Sequence, residues 1–230
     1  MPDPKLAVSL LTPDEAKQYM RIRHAAFVHD VNKIFYFHQH EPSQATLDGV
    51  TQSIRDGIAK GILYLKCVDT SNGEIIAGAR WRSIRPKDPN ATSRTWEEVN
   101  AELAIPEMYT ESHPDVWRAF YELFNESKRK HVGTRPYWVL DTLVTHPDHH
   151  RRGAGGLLLR WGCDKADEAG METYLEASEM GAPLYKKYGF EPVENIALDL
   201  RNWGGPEEIR WTVREHSLDG FGGMLTPVHS

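Results

Sequence analysis

The hydrophobic pattern switches repeatedly between an alternating and a helical period, and the switches divide the chain into elements. Residues 6–11 predict a short strand. Thr12 can cap the helix that follows, Pro13 suits a first helical position, and Glu15 completes a capping box. Ala16, Tyr19, Met20 and residues 23–27 keep the helical spacing. Residues 28–44 are aromatic and histidine-rich without a clean period, and are read as a loop lining a pocket. Residues 45–59 predict a second helix, capped near Ser43. A hairpin follows: strand 62–69, the turn Thr70-Ser71-Asn72-Gly73, and a returning strand over 74–83.

Residues 85–114 change character, being rich in proline and charge, and read as an insertion or excursion. Beyond it the pattern predicts a helix over 115–130, a strand over 137–145 and a helix over 153–169 ended by Gly170. A strand over 172–177, a short helix over 183–188 stopped by Gly189, and a strand over 190–200 come next. One more strand is expected around 211–213. The glycine-rich end, 220–230, reads as frayed, and it could pack on a partner as a homodimer. No internal repeat or domain boundary shows, so residues 1–230 are expected to form one domain.

The bulk numbers narrow the function. The chain has 230 residues with a formal charge of −6 and no long run of one sign, which argues against coating nucleic acid. A hydrophobic fraction of 40% and a mean hydropathy of −0.54 fit a soluble globular protein. No apolar run approaches the ~20 residues of a membrane helix, and the N-terminus lacks a signal-peptide pattern. Cys67 and Cys163 form no C-x-x-C pair and are expected to be buried free thiols in a reducing cytoplasm.

The informative stretch runs from Leu140 to Leu159: a strand, a basic glycine-containing loop, then a helix. Unpaired N–H groups and a partial positive charge at a helix N-terminus attract phosphate. Gly153 and Gly155 let the backbone approach a diphosphate, and Arg151 and Arg152 add charge. Taken alone, the pattern also fits a plain strand–turn–helix with a solvated basic turn. The loop has neither the lysine of a Walker A motif nor the third glycine of G-x-G-x-x-G. His146, His149 and His150 form no complete metal-ligand set, nor do His38 and His40, so no metal is expected.

The string His150-Arg-Arg-Gly-Ala-Gly155 resembles the coenzyme A motif Q/R-x-x-G-x-G/A of the GNAT N-acetyltransferases, with His150 at a position usually Gln or Arg. Downstream, Ala182-Pro-Leu-Tyr-Lys-Lys-Tyr-Gly-Phe190 is similar to the family's Tyr-x-x-x-Gly-Phe motif. The resemblance covers 137–200 firmly and 5–83 by element order. It implies an α/β fold whose central, mostly antiparallel sheet splays between the strands at 140–145 and 172–177 and is flanked by helices. Acetyl-coenzyme A would then insert its pantetheine arm there, pairing with backbone at Leu143, Val144 and Thr145. Its pyrophosphate would meet the loop comprising His150, Arg151, Arg152, Gly153, Ala154, Gly155 and Gly156.

The reaction so implied is direct acetyl transfer to a primary amine, the acceptor being a small molecule. An ammonium with a pKa near ~10.4 must lose a proton, and the departing thiolate needs one. The resemblance nominates Tyr185 as general acid and Asp141 as base or water-positioning residue, with Glu176 the rival base. Ser178 is a candidate for coenzyme or substrate, or a surface turn serine. Phe35, Tyr36 and Phe37 are candidate walls of the acceptor pocket, and His38 and His40 could join them. Two rivals stand beside this reading: a protein or peptide N-acetyltransferase, and a non-catalytic acyl-coenzyme-binding module of the same fold.

Overall fold

The computed structural model describes residues 2–28, 31–37 and 41–216. The tail at 220–230 and the pair His38 and His40 lie outside them. The described residues build one seven-stranded sheet in the order β1-β2-β3-β4-β5-β7-β6. The strands are β1 (Leu6–Leu10), β2 (Leu63–Asp69), β3 (Glu74–Ile84), β4 (Tyr137–Thr145), β5 (Thr173–Ser178), β6 (Glu191–Asp199) and β7 (Glu208–His216). Every neighbouring pair is antiparallel except β4 and β5. This is the mixed, mostly antiparallel architecture expected.

The helices are α1 (Ala16–Ala26), α2 (Asn32–Phe35), α3 (Gln44–Ala59), α4 (Trp96–Glu102), α5 (Pro114–His131), α6 (Ala154–Glu168) and α7 (Ala182–Lys187). Glu15 Oε2 accepts from the Thr12 N–H at 2.9 Å, so the predicted capping box forms, although a single 3-10 turn precedes α1. Ser43 caps α3 by accepting from the Thr46 N–H at 3.2 Å. The aperiodic 28–44 stretch contains the four-residue α2, too short to leave a legible period.

Alternation along β3 sorts its side chains between the faces. Ala77, Ala79 and Trp81 join the core beneath α6. Gly78 faces α1, where a Cβ would sit 2.5 Å from the Tyr19 ring. Arg80 and Arg82 share that second face. Helix α6 closes on the sheet because Gly162 carries no side chain: a Cβ there would lie 2.1 Å from Trp81.

Between β4 and β5 the ladder holds only at Trp138–Thr173 and Val139–Tyr174. Beyond it the strands part. The register against β3 also slips there, Trp81 facing Leu140 and Arg80 facing Thr142, which leaves Asp141 as the extra residue of a β-bulge.

Residues 85–113 are tied into the fold. Asn125 Nδ2 donates to Leu103 O at 2.7 Å, Trp117 Nε1 to Pro106 O at 3.0 Å and Ser112 Oγ to Phe35 O at 2.7 Å. Buried Glu111 accepts from the Ser43 N–H at 2.7 Å and from Thr46 Oγ1 at 2.7 and 3.0 Å. Burial works to raise this carboxyl, but the Ser43 and Thr46 hydrogen bonds outweigh it and hold the group at about 2. The excursion is thus a docked wall pinned to the start of α3.

Candidate active site

A cleft of about 420 Å³ opens where β4 and β5 part. Leu140 to Leu143, Ser178 and Tyr185 line its sheet side, and Phe27, Phe35, Phe120, Tyr121, Phe124 and Trp211 its aromatic side. Leu103, Ala104 and Pro106 of the excursion close one wall.

Above the parted strands lies the loop that opens α6. Gly153 is its N-cap with φ 93°, and Arg151 has φ 65°, a left-handed value rare for a residue with a side chain. Among the described residues no acceptor takes the N–H groups of Arg151 to Gly156. Successive free N–H groups in such a turn form an anion-binding concavity reinforced by the helix dipole. His150 Nε2 donates to Thr145 O at 3.2 Å, bracing the loop against the end of β4.

Arg152 differs from expectation. Its Nη2 donates to Asp3 Oδ2 at 2.7 Å and Asp69 Oδ2 at 2.6 Å. Its charge is spent fixing the loop to the N-terminal segment and β2. Hydrogen bonds from Ser71 and then Arg152 hold Asp69 well below the usual carboxylate range. Arg151 remains exposed on the loop.

Tyr185 sits on α7, buried against Gly181 and packed edge-on to Phe190 at 6.0 Å. Burial pushes its phenol upward, so it stays protonated. Ser178 Oγ accepts from the Gly181 N–H at 3.4 Å at the mouth of the same turn.

The two acids occupy different environments. Asp141 is gripped by Arg82, Nε to Oδ2 at 2.6 Å and Nη2 to Oδ1 at 2.8 Å, with Arg80 Nε at 3.5 Å. Burial would raise its carboxyl, but the charges of Arg82 and Arg80 outweigh it and hold it well below the usual range. Glu176 shares a face of β5 with Tyr174, and its Oε1 lies 3.5 Å from Lys128 Nζ of α5 without a hydrogen bond. Burial raises this carboxyl, and Lys128 offsets that only in part.

Phe35 lines the cleft, whereas Tyr36 and Phe37 lie away from it. Successive residues of a helical turn point in different directions. Tyr36 is buried, stacked on Tyr109, and Phe37 meets His113. Leu143 lines the cleft, whereas the Val144 side chain packs into the α1 core.

Arg23, Arg80, Arg82, Glu102 and Lys128, all lining the cleft, were not anticipated. Arg80-Trp81-Arg82 held the one available signal, two cations on one face of a strand whose other face is apolar. Among the described residues no three or more His, Cys, Asp or Glu side chains group to hold a metal ion. Cys163 is buried and free, and burial pushes its thiol up to about 12, which opposes the thiolate a nucleophile needs. No helix among the described residues is long and apolar enough to cross a membrane.

A sheet parted beside a helix N-terminus with free N–H groups, over a cleft holding a buried phenol and three acids, is the architecture of an acyltransferase. Residues 119–192 match the family model of the acetyltransferase (GNAT) domain, spanning α5 to the start of β6. The chain is similar to the GNAT acetyltransferases over that segment. It is 25% identical over 105 residues to the Ajellomyces capsulatus protein named probable acyltransferase SID5, covering 42% of this chain and 77% of that one. The fold is similar to a mosquito arylalkylamine N-acetyltransferase like 5b, with TM-score 0.63, 17% identity, and 91% and 98% of the two chains covered. It is also similar to a Salmonella typhimurium acetyltransferase solved with its cofactor acetyl-CoA, with TM-score 0.55, 12% identity, and 97% and 99% covered.

Proposed function

We propose that this protein transfers the acetyl group of acetyl-coenzyme A directly to the primary amine of a small molecule. The observation that carries the reading is the parting of β4 from β5 beside the free N–H groups of 151–156. The parted strand offers backbone at Leu143, Val144 and Thr145 to a pantetheine arm. The loop, with Gly153 and the side-chain-free Gly155 and Gly156, suits a pyrophosphate. Arg151 supplies charge there, while His150 and Arg152 shape the loop from outside it.

In the ternary complex the amine attacks the thioester carbonyl. A C–N bond forms, the C–S bond breaks, and the amine proton leaves to a base. Glu176 suits that role better than Asp141, because its raised carboxyl lies nearer working pH. Asp141, clamped by Arg82, serves by positioning water and balancing charge. Tyr185 donates a proton to the departing thiolate and recovers one from solvent. Ser178 sits where it can position either substrate.

The wall formed by Leu103, Ala104 and Pro106 supports a small acceptor over a peptide chain. Such chemistry needs no metal, and the free buried thiols suit the cytoplasm. Calorimetric titration with acetyl-coenzyme A, followed by thiol-release assays over an amine panel, tests the reading. One-to-one binding with turnover is expected. Binding without turnover would favour the non-catalytic module, and no binding would overturn the reading.

A further inference from the structure

The charges of the cleft do not balance, and the surplus is specific. Glu102, Asp141 and Glu176 are its acids, and each is already engaged. Glu102 takes Arg82 at 3.0 Å and Arg94 at 3.2 Å, Asp141 takes Arg82 by both oxygens, and Glu176 faces Lys128. No acid lining the cleft is left over for a second ammonium group.

Two guanidinium groups, by contrast, are under-used. Arg23, in the last turn of α1, has neither a hydrogen bond nor a carboxylate partner among the described residues. Its guanidinium carbon lies 5.8 Å from the centre of the Phe27 ring and 5.7 Å from that of Phe35. Arg80 has a buried Nε without a hydrogen bond, 3.5 Å from an Asp141 whose oxygens Arg82 already occupies. Both line the cleft. A guanidinium presents paired donors that match a carboxylate, and in a site walled by aromatics such a match discriminates strongly.

We infer that the acceptor is an amine that also carries a carboxylate. This rests on the acetyl-transfer reading and adds the substrate class to it. The carboxylate docks on Arg23 and Arg80, an apolar stem lies along Phe27, Phe35 and Phe120, and the amine points toward Glu176. Arg23 is then a specificity-determining residue.

The test uses the full chain, acetyl-coenzyme A and matched acceptors: 6-aminohexanoate against hexylamine, phenylalanine against phenethylamine, and 1,5-diaminopentane as a dication. In at least one pair the carboxylated amine should show a kcat/KM about tenfold or more above its partner. Arg23→Gln should shrink that ratio by about tenfold, mainly through KM, and Arg23→Lys should restore part of it. Preference for the plain amine in every pair, best turnover of 1,5-diaminopentane, or an equal effect of Arg23→Gln on both members overturns the inference. Turnover of plain amines alone would leave acetyl transfer standing and remove only this proposal. No turnover of any amine would remove both.

Discussion

Arg82 of β3 holds both carboxylate oxygens of Asp141, at 2.6 and 2.8 Å, across the bulge where the sheet begins to part. Arg82 is held in turn by Glu102 from the excursion. A carboxylate so paired gives up proton affinity for position. Asp141→Asn should therefore lower stability by about 2–4 kcal/mol, the cost of leaving a half-buried cation partly unpaired. It should nevertheless keep the acid limb of the kcat/KM profile. A vanished acid limb in that variant would make Asp141 the base.

Glu176→Gln should lower kcat by roughly a hundredfold or more and erase the acid limb. The stability sign runs the other way. A carboxyl raised in the folded state contributes stability while protonated and loses it as pH climbs through the folded value. The variant's Tm at pH 8 should equal or exceed that of the parent, and a clear fall in thermal melts would contradict the desolvated-base reading.

Tyr185→Phe removes one hydroxyl and leaves the ring on Phe190. A drop in kcat on the order of a hundredfold is expected, with acetyl-coenzyme A affinity unchanged by calorimetry. Full turnover would show that the thiolate takes its proton elsewhere.

Gly153→Ala would place a Cβ at φ 93° and 2.9 Å from Pro2 Cα. Left-handed backbone with a side chain costs roughly 1–2 kcal/mol, and here the N-terminal segment must also move. Acetyl-coenzyme A affinity should fall about tenfold or more, read by calorimetry, with the far-UV spectrum intact. Unchanged affinity would remove the loop from the binding site.

Glu111→Ala strips the acceptor from Ser43 and Thr46 and should cost about 3 kcal/mol, on the order of 10 °C in Tm. The Glu111 carboxyl sits at about 2 against an ordinary 4.5, so its contribution is present above the ordinary value and lost as pH falls toward the lower one. The Tm difference between parent and variant should narrow over that window. A difference that stays constant down to pH 2 would contradict it.

The elements most legible in the sequence were those whose signals are local. The strand 137–145, the Gly153 loop, α6 with Gly170 and α7 with Gly189 all announce themselves by period and punctuation, and their order carried the family. Helix α2 was invisible because four residues contain scarcely one turn. Tyr36 and Phe37 looked like pocket walls only because they follow Phe35 in sequence.

The sequence by itself determined the strands, the longer helices and the glycine loop, because helix, strand and turn preferences act over a few residues, while Tyr185 came as a candidate acid from the family resemblance. Tertiary structure decided which carboxyl is lowered and which is raised. That choice depends on Arg82 reaching Asp141 across a bulge, and on Lys128 reaching Glu176 from a helix nearly fifty residues away in the chain. It also decided that Arg152 belongs to Asp3 and Asp69, and that Arg23 and Arg80 face the cleft with donors to spare. Charge falls off with distance in space, and only the folded chain sets those distances.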